Sequence, residues 1–166
     1  MNNSKPDNTN IYGPSVILSG GTISTLFITT PDKYDRYSLY YTVGANNKSW
    51  AALQGIIQRL LDQNNKGVKP FHIPWKVNDT DGLVHIKANS RKQPPVLDAD
   101  KARVKPTILS ENMGVSVNLR PMFFSKTEEV SFRMPNGTMG SNKVTKKGIS
   151  LYLNGVMMGA GEEDEF

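Results

Sequence analysis

The sequence predicts a mainly β fold, a curled antiparallel sheet that carries one amphipathic helix and long loops. Three observations predict it. Fourteen glycines and ten prolines in 166 residues break the chain into short pieces, which disfavours a helical bundle. Four segments alternate apolar and polar residues with the period of two that a half-buried strand requires. A single segment repeats its apolar residues at helical spacing instead. At this length there is room for one core and hardly for two.

Residues 1–14 are polar, rich in asparagine and aperiodic, and are expected to form a flexible N-terminal arm. The β-branched run after Gly20-Gly21, Thr22 to Thr30, reads as a first strand. A turn at Pro31-Asp-Lys-Tyr-Asp35 follows. Arg36 to Val43 is a second strand, with Tyr37, Leu39, Tyr41 and Val43 on one face and Arg36, Ser38, Tyr40 and Thr42 on the other. Ser49 is the expected N-cap of a helix whose stripe is Trp50, Leu53, Ile57, Leu60 and Leu61, with Gly67 as its stop. That stripe is the width of a core face.

Beyond the helix the chain turns irregular around Pro70 and Pro74. The cluster Asn78-Asp-Thr-Asp-Gly82 looks like the start of a calcium loop, but it lacks the regular acidic spacing and the closing glutamate, so it reads as a turn. Leu83 to Asn89 then alternates, with Val84, Ile86 and Ala88 inward and His85, Lys87 and Asn89 outward. Gly114 to Arg120 does the same, with Val115, Val117 and Leu119 inward, and the pattern extends as far as Phe124. Phe132 to Lys147 reads as a hairpin excursion with a turn at Pro135-Asn136-Gly137 and a basic patch at Lys143, Lys146 and Lys147. Gly148 to Gly155 closes the pattern with Ile149, Leu151 and Leu153 inward and Ser150, Tyr152 and Asn154 outward. Five strands with one helix between the early ones fit a five-stranded antiparallel OB-type barrel over residues 15–158. A small β-sandwich is the alternative that periodicity does not separate from it. Residues 159–166 form the expected acidic C-terminal tail.

Composition excludes several functions. With no cysteine there is no disulfide framework, zinc ribbon, iron–sulfur site or thiol nucleophile. Two histidines leave little material for a zinc or triad enzyme. No apolar run approaches the roughly 20 residues of a membrane span, and the start has no signal-peptide core. The sequons at Asn47, Asn78 and Asn136 therefore carry little weight, and a cytoplasmic setting is expected. No Gly-rich phosphate loop, Gly-x-Ser-x-Gly elbow or His-x-x-x-His pair is present. Asp79, Asp81, Asp98 and Asp100 are the only material for a magnesium nuclease, and both pairs sit in turns where aspartate serves local hydrogen bonding. The expectation is a binding protein without catalytic residues, cofactor or metal.

Charge and outward residues point to the ligand. The net charge is +5, but Glu162, Glu163, Asp164 and Glu165 stand together at the end. Setting them aside leaves 20 basic against 11 acidic residues, a body of +9 with a detached acidic terminus. The outward strand positions display Arg36, Tyr40, His85, Lys87, Arg120 and Tyr152, and Arg91 and Lys92 follow directly. Lys101, Arg103 and Lys105 lie further along. Single-stranded nucleic acid needs cations for its phosphates and aromatic faces for its unstacked bases, and this set supplies both. Phe124 is a weaker candidate, while Trp50, Phe71 and Trp75 are assigned to the core. These residues do not distinguish DNA from RNA.

The segment Lys87-Ala-Asn-Ser-Arg-Lys-Gln-Pro-Pro-Val-Leu-Asp-Ala-Asp100 resembles a central block of phage single-stranded DNA-binding proteins, a broad group long described only as of unknown function. Arg91 and Lys92 fall at its basic positions and Val96-Leu97-Asp98 at its turn, where Asp98 is structural. Arg36-Tyr-Ser-Leu-Tyr40 is similar to the family's second strand, and Lys147-Gly-Ile-Ser150 with Leu153-Asn154 to its closing strand. Glu162, Glu163, Asp164, Glu165 and Phe166 resemble the acidic, aromatic-terminated tails of bacterial and T7-type phage members, in a shorter form. The resemblance implies an OB-fold protein that binds single-stranded DNA without strong sequence preference during phage DNA replication and recombination. Taken with the outward positions, it gives Arg36, Tyr40, His85, Lys87, Arg91, Lys92, Arg120 and Tyr152 as the expected DNA contacts. It also implies a tail that recruits replication proteins such as polymerase or helicase/primase and competes with DNA for the basic groove. The setting would be the cytoplasm of an infected bacterial host, without membrane contact, and homo-oligomerisation stays open. An RNA-binding, cold-shock-like regulator and a phage structural or interaction protein are the rival readings.

Overall fold

The structure, a computed structural model, describes residues 9–64, 70 and 72–158. The expected helix stop Gly67, the expected core residue Phe71, and the tail residues Glu162, Glu163, Asp164, Glu165 and Phe166 lie outside the described residues. Four residues of the expected arm form strand β1 (Thr9–Tyr12). The elements that follow are β2 (Val16–Phe27), β3 (Tyr37–Gly44), α1 (Lys48–Asn64), β4 (Trp75–Asn78) and β5 (Leu83–Ser90). Two short strands, β6 (Val96–Leu97) and β7 (Arg103–Val104), precede the long β8 (Gly114–Arg133) and β9 (Met139–Met158). No helix among the described residues is long and apolar enough to cross a membrane.

Five strands close into a ring in the order β8–β2–β3–β5–β9–β8, as an OB-type barrel requires. The expected barrel was antiparallel throughout, whereas β5 and β9 run parallel where Asn89 meets Tyr152. The reason is parity. An odd number of strands cannot alternate direction all the way round a closed ring, so at least one seam must be parallel. The other four pairings are antiparallel.

Alternation fills the barrel. Leu39, Tyr41 and Val43 from β3, Val84, Ile86 and Ala88 from β5, and Val115, Val117 and Leu119 from β8 are buried, as are Ile149, Leu151 and Leu153 from β9. Helix α1 lies between β3 and β5 in sequence and adds Trp50, Leu53, Ile57 and Leu60 to the same core. Trp75 on the edge strand β4 packs edge-on against Trp50 at 5.4 Å. The helix begins one residue before the expected cap position. Asn47 Oδ1 accepts the Trp50 amide at 3.0 Å and takes the N-cap role. Ser49 lies inside the first turn and binds back, its Oγ accepting the Ser19 amide at 3.1 Å.

The two longest strands pair from the barrel out to Arg133 opposite Met139, so the hairpin begins well before the expected Phe132. Its tip is the expected turn, where the Gly137 amide donates to Met134 O at 2.9 Å and Gly137 takes φ +89°. The outer ribbon lacks a buried face, so its residues carry no alternation for a sequence pattern to reveal. Val130 and Phe132 are exposed along it. At its base Glu128 lies 3.6 Å from Lys146 and 3.4 Å from Lys126. The Lys146 charge, then Lys126, hold its carboxyl below the usual glutamate value.

One buried phenol stitches this barrel. Tyr41 Oη accepts the Gly21 amide at 2.9 Å and donates to Val115 O at 2.6 Å, tying β2, β3 and β8 together inside the core. The approach demands glycine, since a Cβ on Gly21 would meet Thr42 O at 2.5 Å and the Tyr41 ring at 2.7 Å. Removing the hydroxyl strands a donor and an acceptor in the buried core, which costs about 1–3 kcal/mol. Tyr41→Phe is therefore expected to lower the unfolding free energy by that amount, read as a lower urea midpoint at an unchanged denaturant slope.

Candidate nucleic-acid interface

The outer face of the barrel is set by the same alternation that fills its core. On β3 and β5, Tyr40 stands opposite Lys87, whose ammonium lies 5.6 Å from the ring centroid. Two residues along, Thr42 stands opposite His85, and Thr42 Oγ1 lies 3.1 Å from His85 Nδ1. Ser24 continues that row with a short hydrogen bond to Thr42. His85 is thereby engaged in a polar ladder. The parallel seam then carries the face across to β9, setting Asn89 beside Tyr152 and Tyr152 beside Arg120 on β8.

Where these strands meet, a groove of about 480 Å³ opens, lined by Tyr12, Arg36, Arg91, Lys92, Met122 and Tyr152 among others. Among the described residues no carboxylate lines it. Tyr12 is 48% and Tyr152 37% exposed. The Arg120 guanidinium sits 4.8 Å from the Tyr12 ring centroid, and its Nε donates to Gly13 O at 3.1 Å, so the cation is fixed between β1 and β8. Strand β1 supplies Tyr12 because Ile11 packs against the core and the Gly13 amide donates to Pro121 O at 2.9 Å.

Arg36, Arg91, Lys92 and Tyr152, expected from the sequence, line this one groove, and Arg120 adjoins it through Tyr12. Tyr40 and Lys87 form the neighbouring pair on the same face, and His85 stands further along it. Lys101 and Arg103 sit around the β6–β7 turn instead, and Lys101 lines a separate apolar cleft of about 300 Å³. Two exposed aromatics escaped the sequence reading. Tyr12 was hidden in a segment without periodicity, where Ile11-Tyr12 was the only apolar signal. Tyr34 was absorbed into a turn, yet it is 67% exposed beside the site.

A carboxylate shapes that turn. Asp32 Oδ1 accepts the Tyr34 amide at 2.9 Å and the Arg36 amide at 3.1 Å, and Oδ2 accepts the Ser38 hydroxyl at 2.9 Å. Ser38, expected to face outward, is buried beneath this loop. Partial desolvation pushes the Asp32 carboxyl up. The hydrogen bonds from Tyr34, Ser38 and Arg36, together with the Lys87 charge, outweigh that push and hold it below the ordinary aspartate value. Asp81 and Asp98 are turn formers, as expected. Asp81 Oδ1 accepts the Leu83 amide, and Asp98 Oδ1 accepts those of Asp100 and Ala102. Among the described residues no group of three or more His, Asp or Glu side chains could hold a metal ion.

Chemically, the face offers cations for phosphates and exposed aromatic rings for bases, in a channel that no carboxylate lines among the described residues. No protein-family model matches the chain, and no curated protein matches its sequence. Solved structures do match its fold. The single-stranded DNA-binding protein of bacteriophage Enc34, in complex with ssDNA, is similar with a TM-score of 0.64 at 16% identity, over 92% of this chain and 89% of that one. The C-terminal truncation of the same protein gives 0.59 at 19% identity, over 92% and 88%. The single-stranded DNA-binding protein gp2.5 of bacteriophage T7 aligns at 0.46 with 12% identity over 95% and 94%, too loosely to add to the argument. The Enc34 likenesses establish the shared fold.

The lowered Asp32 pKa fixes a sign. Its contribution to stability is complete above the unfolded-state pKa and is lost as pH falls through the folded-state value. Asp32→Asn should therefore be less stable than the parent at pH 7, and the gap should close on acidification below the ordinary aspartate range. Thermal midpoints of the two proteins across that range check it.

Proposed function

We propose that this chain is a single-stranded DNA-binding protein of the phage kind. One observation carries the reading: Tyr12 and Tyr152 stand exposed in a groove with Arg36, Arg91 and Lys92, next to Arg120, and with no carboxylate among the described residues that line it. A strand of unstacked bases meets aromatic faces there while its phosphates meet cations, and neither contact depends on base identity. The fold shared with the Enc34 protein, itself described bound to ssDNA, supports the same reading. Tyr40 with Lys87, and then His85, extend the track along β3 and β5. In OB-type barrels the face of the second and third barrel strands, with the loops that flank it, is where oligonucleotides bind.

The role that fits is coating and protecting single strands during phage DNA replication and recombination, in the host cytoplasm, by binding rather than catalysis. The tail from Glu162 to Phe166 would then serve as the hook for replication proteins, its carboxylates standing in for phosphates. The deciding experiment is a fluorescence titration against oligo-dT, oligo-U and duplex DNA at low and moderate salt. Tight binding to oligo-dT with tyrosine quenching, persisting at moderate salt where duplex binding is lost, is the expected result. Preference for oligo-U would favour an RNA-binding regulator. Equal weak binding to all three would leave only a basic surface.

Two variants localise the interface. Arg91→Ala with Lys92→Ala should reduce the slope of log affinity against log salt by about 0.7 for each phosphate that is no longer neutralised. Tyr152→Ala should weaken oligo-dT binding by about 1–3 kcal/mol and leave that slope nearly unchanged.

A further inference from the structure

The β2–β3 loop carries a second, smaller cavity of about 220 Å³, lined by Tyr34, Asp35, Arg36 and Arg91. Arg36 and Arg91 also line the main groove, so the two cavities share these two arginines. A strand leaving the groove between them would keep a phosphate at the arginines and deliver the next base to Tyr34. The loop is built to hold that residue in place. The Asp32 amide donates to Arg36 O at 2.8 Å and the Asp35 amide to Asp32 O at 2.9 Å, closing the turn from both sides. The Asp32 carboxylate then fixes the Tyr34 and Arg36 amides. The Lys33 ammonium lies 5.1 Å from the Tyr34 ring centroid.

Asp35 is the unexpected member. It adopts φ +62°, a left-handed conformation that aspartate and asparagine tolerate better than most residues. Its carboxylate makes no ion pair within 4 Å among the described residues, although two arginines line the same cavity. A site serving phosphate alone gains nothing from a negative charge at that point. A carboxylate is acceptor only, so it binds an exocyclic amino group and repels a carbonyl. Cytosine, adenine and guanine each carry an exocyclic amino donor, whereas thymine presents the O4 acceptor at the position of cytosine N4.

We infer that the β2–β3 loop is a base-reading subsite, in which Tyr34 stacks an amino-bearing base, Asp35 accepts a hydrogen bond from its exocyclic amine, and Arg36 with Arg91 hold the adjoining phosphate. This rests on the single-strand-binding reading. It adds a preference at one position to a track that is otherwise indifferent to sequence.

The test is the ratio of affinities for oligo-dC and oligo-dT of equal length at pH 7, measured by anisotropy on the full chain and on two variants. Asp35→Asn and Asp35→Gly both accept the left-handed backbone, so the loop is kept while the charge is removed. Removing a carboxylate raises affinity for any polyanion, and the ratio cancels that effect. The dC/dT ratio should fall by about threefold or more in both variants relative to the parent. An unchanged ratio, with both oligonucleotides still bound, would overturn the subsite and leave the general reading standing. Absence of binding to either oligonucleotide by the parent would overturn the general reading, and the subsite with it.

Discussion

The parallel seam between β5 and β9 is the constraint on which the rest of the molecule depends. Five strands must break their alternation once to close, and this chain breaks it where Asn89 meets Tyr152. Closing there brings the last strand, with Tyr152, against the end of β5, where the chain runs straight into Arg91 and Lys92. Pairing of β9 with β8 then places Arg120 at the side of Tyr152. The groove is thus a product of ring closure, assembled from segments as distant in sequence as Tyr12 and Tyr152. A sheet opened at that seam would keep every one of these side chains and lose their convergence.

Electrostatics on this face follow a division of labour. Among the described residues the main groove is lined by cations and no acids. Two acids elsewhere on the barrel are occupied with architecture: Asp32 folds the loop that carries Tyr34 and Arg36, and Glu128 is held between Lys126 and Lys146 at the base of the ribbon. Asp35 fits neither class, since it forms no ion pair among the described residues and lines a cavity with both arginines. That exception is why base reading is assigned to it.

Much of the barrel was legible because a half-buried strand writes its period directly into the sequence. Val84, Ile86 and Ala88 alternate with His85, Lys87 and Asn89 as the pattern requires, and the helix shows its stripe in Trp50, Leu53, Ile57 and Leu60. The ribbon was legible at its Pro135-Asn136-Gly137 turn but not between Phe124 and Phe132, because strands exposed on both faces have no inside to mark. Nor did local patterning reveal the seam, which is a property of the closed ring and of no single strand. The convergence of Arg36, Arg91, Lys92 and Tyr152 could be anticipated from outward positions and the basic run that follows β5. Tyr12 and Tyr34 could not, since an arm and a turn carry no facing information, and the interactions that orient them come from Arg120 and Asp32.

Photo-crosslinking of the full chain to a single-stranded oligonucleotide carrying halogenated pyrimidines, followed by peptide mapping, tests the central claim most directly. The account predicts adducts on both Tyr12 and Tyr152 in the one groove, with further adducts on Tyr34 or Tyr40. Adducts confined to the ribbon or to the β6–β7 turn, with both groove tyrosines unmodified, would contradict it.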